Sequence, residues 1–127
     1  MATHSCLRGL SPLVVTISTR LAAPVVAAMR LRGGNAGSAR GAASLLTHAL
    51  VTAKAAGATG MILVRADSAY YAGAVISAAR RAGAMFSITV VANTAIRAAI
   101  ATISQDAWVA VRYPGAVHDR LYRRVDL

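Results

Sequence analysis

Apolar and polar positions alternate along this chain in short blocks, and their period switches between two residues and about 3.6, the signatures of strand and helix. Residues 13–18 (LVVTIS) are a short β-branched run and residues 25–32 (VVAAMRLR) a second extended candidate, predicting two strands joined closely through residues 19–24 with Pro24 at the start of the second. Residues 33–38 (GGNAGS) form a loop by composition. Ala42, Leu45, Leu46, Ala49, Leu50 and Ala53 then recur on one helical face, predicting a helix from a Ser38 N-cap to about Ala56, with Gly57 ending it. Residues 61–66 (MILVRA) predict a compact strand that runs directly into Asp67 and Ser68. A second helix is expected over residues 69–82, with Tyr71, Val75, Ala78 and Ala82 on one stripe and Gly83 as its stop. Residues 85–91 (MFSITVV) follow as a strand, and Asn93 caps a helix that places Ile96, Ile100 and Ile103 on one side. Residues 108–113 alternate as a last strand before Pro114 and Gly115. The order β-β-α-β-α-β-α-β predicts an α/β fold, a mixed sheet covered by helices, with neither an internal repeat nor an interdomain linker.

Composition changes that picture in two ways. The chain is 57% hydrophobic and 14% charged, which excludes a disordered tail, but thirty of its residues are alanine and the core is expected to be thin. Lys54 is the lone lysine among fourteen cationic residues, and with the alanine load this reads as the mark of a GC-rich coding sequence. The formal net charge is +10, and the acidic residues are Asp67, Asp106, Asp119 and Asp126, with no glutamate. Such an excess favours a polyanionic partner, because each arginine that neutralises a phosphate releases condensed counterions. The single Cys6 excludes an internal disulfide framework and a cysteine-rich zinc site, and suits a reducing, cytoplasmic setting. The first 66 residues carry no carboxylate, as organellar presequences do not, but the acid-free stretch is too long for one and residues 13–18 are strand-like. No uninterrupted apolar run approaches the 18 or more residues of a membrane span.

Asp67 is the leading candidate for chemistry, since it stands where a buried strand gives way to a helix, the edge at which α/β sheets collect ligands. A carboxylate there offers oxygen to a hard cation such as magnesium; equally, Asp67 or Ser68 is a fitting cap for the helix that follows. The Gly33-Gly34-Asn35 loop before a helix lacks both the Walker and the dinucleotide-binding patterns and reads as a plain loop. His4, His48 and His118 have no metal-ligand spacing, and Ser5, Ser38 and Ser68 have no adjoining His and Asp set. Arg80 and Arg81 at a helix end suit the helix dipole and could equally meet phosphate, while Tyr70 and Tyr71 are packing residues before they are a stacking platform.

Three stretches taken together resemble the DDE transposases of bacterial insertion sequences: residues 31–42 (LRGGNAGSARGA), 58–71 (ATGMILVRADSAYY) and 79–91 (AARRAGAMFSITV). Residues 11–29 fit the segment leading into them, and the resemblance covers residues 8–117, with 118–127 (HDRLYRRVDL) left as an unmatched tail. The resemblance implies an RNase H-like sheet and three acidic residues that hold two Mg2+ or Mn2+ ions for phosphodiester attack on DNA. Asp67, in the ADSAYY motif, matches the second of the three. It also implies that the first aspartate belongs to a central strand upstream of residue 8, and the third acid, typically a glutamate, to a helix beyond the matched part. The expectation is therefore an incomplete domain with its first central strand missing, inactive alone, with unpaired strand edges open to self-association. Arg30, Arg32, Arg40, Arg80 and Arg81 are the candidate DNA contacts. Two rival readings are a stand-alone basic nucleic-acid-binding module, and a small α/β enzyme using Asp67 with Ser68 or a tyrosine in a closed pocket.

Overall fold

The computed structural model of the chain describes residues 9–110 and 123–125. Its elements run β1 (Leu10–Ile17), β2 (Val25–Gly33), α1 (Ala42–Ala55), β3 (Leu63–Ala66), α2 (Gly73–Arg81), β4 (Met85–Ile88), α3 (Thr94–Ala101), β5 (Trp108–Ala110) and β6 (Arg123–Val125). Two compact units contain them, residues 1–90 and residues 91–127. The predicted order is present through β5, although residues 111–113 of the expected last strand lie outside the described residues, as do Cys6, His4, Ser5, His118, Asp119 and Asp126.

The expected single mixed sheet is not formed. Among the described residues there are three two-stranded sheets, β1 with β2, β3 with β4, and β5 with β6. β1 and β2 form an antiparallel hairpin whose register passes from Val15 opposite Ala28 to Thr16 opposite Val26, leaving Ala27 as a bulge. Thr19 Oγ1 closes the connection by accepting from the backbone N–H groups of Leu21 and Ala22. β3 and β4 pair in parallel, Leu63 opposite Met85 to Ala66 opposite Ile88, which requires a crossover, here the segment containing α2. Among the described residues each strand thus has one partnered edge, and no ladder joins β1 to β3.

In the first unit α1 packs on the hairpin and on α2. Its buried residues are Ala42, Leu45, Leu46, Ala49, Leu50 and Ala53, the face its periodicity predicts. With Leu13, Val75, Ala78, Ala79 and Ala84 these residues make the core. Ile62, Val64, Tyr70 and Ile88 pack against its edge. Alanine supplies more than half of the eleven buried side chains, so the core is thin, as composition requires. Both helices of this unit end in the same way. Gly57 N–H bonds to Lys54 O and Ala58 N–H to Ala53 O; Gly83 N–H bonds to Arg80 O and Ala84 N–H to Ala79 O, the paired bonds of a Schellman motif. Lys54 Nζ reaches across to Ala82 O at 2.6 Å, placing the lone lysine on the negative end of α2.

Two expected helix starts are corrected. Helix α1 begins at Ala42, not after a Ser38 cap, because Gly41 has φ 77° and interrupts helical continuity. Arg32 supplies the cause. Its Nη1 donates to Gly37 O, Ser38 O and Arg40 O at 2.9–3.0 Å, and so takes carbonyls that a helix from Ser38 would use internally. The expected helix over residues 69–82 is divided: a 3-10 turn at Ser68–Tyr70 is followed by extended backbone at Ala72 before α2 begins. Tyr70 thereby reaches the core while Tyr71 is 48% exposed, off the stripe assigned to it.

Gly41 yields a test. A β-carbon there would occupy left-handed backbone and meet Arg30 Nη1 at 3.1 Å. Gly41→Ala is expected to lower unfolding stability by about 1–2 kcal/mol in a urea titration. Gly73→Ala, at the start of α2 with nothing within 4 Å of its added carbon, should be neutral or stabilising.

The second unit carries α3, capped as expected by Asn93, whose side chain accepts from Ile96 N–H at 3.0 Å. Its face is shallow: Ile96 and Ile103 are half-buried and Ile100 is 47% exposed. No helix among the described residues is long and apolar enough to cross a membrane.

Candidate functional site

Asp67 follows the last residue of β3 and takes extended backbone, φ −82° and ψ 178°. Its Oδ1 accepts from Ala69 N–H at 2.9 Å, which closes the 3-10 turn at Ser68–Tyr70. The cap expected there therefore exists, but on a single turn instead of on α2. Capping leaves the second carboxylate oxygen with no hydrogen-bond partner among the described residues, in an exposed position at the C-terminal end of a parallel strand, where an oxygen ligand can reach a cation in solvent. Asp67 is also the sole acidic residue in the first 105 positions. Asp106 lies in the second unit, inside a 3-10 turn at Gln105–Ala107. The Ser104 hydroxyl donates to its carboxylate and holds it below the ordinary aspartate value of 3.8.

Donor chemistry decides what such a site can hold. Two cations bridged over a phosphodiester need several carboxylate oxygens, since each hard ion takes six or more oxygen ligands and the charges must be offset. One aspartate offers two oxygens, too few to hold a two-ion centre by themselves, and no catalytic step through paired metals follows from this residue alone.

The arginines separate into distinct kinds. Arg30, Arg32 and Arg40 come together around a cleft of about 330 Å³ beside the start of α1. Arg32 is structural: besides the three loop carbonyls, its Nε and Nη2 donate to Ser11 O and Ser11 Oγ, tying the 33–41 loop to β1. Arg30 Nη1 donates to Ser44 Oγ at 2.9 Å, and Arg40 is exposed. Arg80 and Arg81 are exposed in the last turn of α2, at the opposite end of that helix from Asp67, about 13 Å of helix away. His48 is exposed on α1, as expected, and the Gly33-Gly34-Asn35 segment is the loop its composition predicts.

One feature escaped the sequence reading. A cleft of about 390 Å³ runs between residues 13–19 of the hairpin and residues 61–66, which lead into and form β3, with Leu46, Ala49 and Leu50 of α1 along it. Arg65 lines this slot and is exposed, and its position within the apolar run 61–66 was the available signal.

The chain was compared with known families, proteins and structures. No curated protein and no solved structure matches it. One family profile, described as transposase DDE domain group 1, matches residues 3–126 and so takes in Asp67, both units and most of the stretch set apart above as a tail. With an exposed aspartate at a parallel strand end inside a match that spans nearly all 127 residues, the chain belongs to the DDE transposase domain family.

Proposed function

We propose that this chain carries one part of the DNA-cutting and strand-joining centre of an insertion-sequence transposase and does not cut DNA by itself. Family membership supports transposase-related work on DNA. The observation that carries the finer reading is the solitary carboxylate: Asp67, at the end of β3, stands alone among the first 105 residues. In this reading Asp67 is one ligand of a Mg2+ or Mn2+ ion, and the remaining acidic oxygens come from elsewhere. When bound, such ions would activate the attacking oxygen and offset charge on the phosphodiester. This chain's own contribution is to hold one carboxylate at a fixed strand end, braced by Ala69 N–H, and to present arginine to the DNA backbone. Arg30, Arg40, Arg80 and Arg81 are the phosphate contacts, whereas Arg32 organises the loop that presents two of them. Free strand edges leave the chain prone to self-association, and its place of work is where DNA is, in the cytoplasm of a bacterium.

The experiment is a nicking assay on supercoiled plasmid with the purified chain and Mg2+ or Mn2+. The expected result is that intact chain and Asp67→Asn both leave the plasmid at the background of buffer. Nicking by the intact chain that disappears with Asp67→Asn would overturn the inactive reading. The +10 charge favours one second reading, a stand-alone basic nucleic-acid-binding module. It predicts the same absence of nicking, but DNA affinity indifferent to any acidic partner.

A further inference from the structure

We propose that the cleft lined by Arg30, Arg32 and Arg40 is a site for a terminal phosphate monoester at the end of a nucleic-acid strand, held in preference to an internal phosphodiester. The inference deepens the DNA reading above and rests on it, but not on Asp67 acting as a metal ligand.

The backbone brings the three arginines together. Arg30 and Arg32 lie two residues apart on β2, both half-buried on one face, while Met29 and Leu31 are exposed on the other. Arg40 comes from the loop before α1, where the Arg32 Nη1 donates to Arg40 O at 3.0 Å and to Gly37 O at 3.0 Å and so fixes the main chain that carries it. Arg30 is held at its own tip. Its Nη1 donates to Ser44 Oγ at 2.9 Å and lies 3.1 Å from where a β-carbon of Gly41 would stand. The cleft these residues share is about 330 Å³, and Asn35 also lines it.

Charge then selects the ligand. Three guanidinium groups around one cleft repel one another unless something of opposite sign offsets them. No carboxylate is among the residues lining the cleft, and none precedes Asp67 in the chain. Arg32 turns its Nε, Nη1 and Nη2 to carbonyls and to the Ser11 hydroxyl, so it adds charge more than donors. Arg30 makes one side-chain bond, and the guanidinium of Arg40 makes none among the described residues. Two arginines therefore have donors to spare. A phosphodiester brings them one negative charge, whereas a monoester brings about 1.5 to 2 at pH 7 and a third terminal oxygen. The monoester matches both spare guanidinium groups, and the diester leaves one uncompensated. A monoester also carries a single sugar out of the cleft where a diester carries two.

Arg80 and Arg81 supply the contrast. They stand side by side in the exposed last turn of α2 and do not line this cleft, and an exposed helix end meets an internal phosphate as readily as a terminal one.

The test measures the full chain against three fluorescein-labelled single strands of thymidine nucleotides at one fixed salt concentration. Two have six nucleotides and carry a phosphate at the 5′ or the 3′ end, with the dye at the other. The third has seven nucleotides and a hydroxyl end, so that all three contain the same number of phosphate groups. Fluorescence anisotropy is expected to show at least one phosphorylated strand binding about fivefold more tightly than the hydroxyl control, a factor equivalent to about 1 kcal/mol, the scale of one added charge pair near 4 Å in water. Arg40→Ala should bring that ratio close to one. Its side chain is exposed and unbonded, and truncation leaves the backbone bonds of the loop in place. The double variant Arg80→Ala, Arg81→Ala should weaken all three strands and keep the ratio. Equal affinity of the intact chain for the three strands would overturn the proposal while leaving the DNA reading and that of Asp67 standing. A ratio that survives Arg40→Ala, or that the double variant lowers as far, would overturn it too. Failure of every strand to bind would overturn the proposal and the DNA reading together.

Discussion

Raising salt from about 50 to about 200 mM is expected to weaken binding of this chain to duplex DNA on the order of 100-fold. Four arginines are proposed to meet phosphate, Arg30, Arg40, Arg80 and Arg81, and each neutralised phosphate contributes roughly −0.9 to the slope of log K against log salt. The expected slope is thus about −3.6, and a fourfold rise in salt costs about 150-fold in affinity. Single variants sort the arginines. Arg40→Ala, at an exposed position whose guanidinium has no hydrogen-bond partner among the described residues, should make the slope shallower by about 0.9. Arg32→Ala should leave the slope nearly unchanged while lowering stability, because its guanidinium holds the carbonyls of Gly37, Ser38, Arg40 and Ser11. A flat salt dependence, or a slope that Arg32→Ala reduces as much as Arg40→Ala does, contradicts this assignment. Fluorescence anisotropy on a labelled duplex, repeated at four or five salt concentrations, gives the answer.

Truncation of Leu45 is expected to cost about 2–4 kcal/mol of unfolding free energy. Leu45 is 3% exposed and sits in a core where Ala42, Ala78, Ala79 and Ala84 fill little volume, so the leucines carry most of the buried area. Small-side-chain neighbours cannot swell into the space that Leu45→Ala leaves, and the cavity penalty should be close to fully expressed. Against the total of about 5–15 kcal/mol typical of a domain, such a loss is large enough to populate unfolded chains at 37 °C. Leu21→Ala, at a position 97% exposed in the β1–β2 connection, should change stability by no more than about 0.5 kcal/mol. Urea midpoints from far-ultraviolet circular dichroism compare the two. Similar midpoints would mean that α1 does not carry the core.

The fold was legible wherever one physical rule acted alone. The α1 face could be read from apolar spacing because nothing competes with burial along that helix. Asn93 and the two glycine stops at 57 and 83 follow from local hydrogen bonding, and the structure places each as expected. Errors arose where a distant side chain took over. Ser38 has the chemistry of an N-cap, yet Arg32, six residues earlier, draws the loop carbonyls to itself and moves the helix start to Ala42. The stripe that included Tyr71 failed because Asp67 closes a turn of its own, after which the chain must extend before α2 can start. Sheet continuity was not legible at all, since strand periodicity specifies faces but not neighbours. Asp67 was legible as a strand-end carboxylate. Arg65 was not, because an arginine inside an apolar strand reads as a solvated interruption until the slot beside it is seen.

The solitary carboxylate can be tested by counting ions. Free hydrated Mn2+ gives a six-line electron paramagnetic resonance spectrum that fades when the ion is held by protein ligands. With the chain at about 0.1 mM and Mn2+ titrated through the same range, the expected outcome is a spectrum close to that of buffer, because one carboxylate leaves the ion mostly hydrated. Asp67→Asn should superimpose on it. Loss of signal equivalent to two ions per chain, restored by Asp67→Asn, would show a complete acidic centre in this polypeptide and contradict the reading given to Asp67.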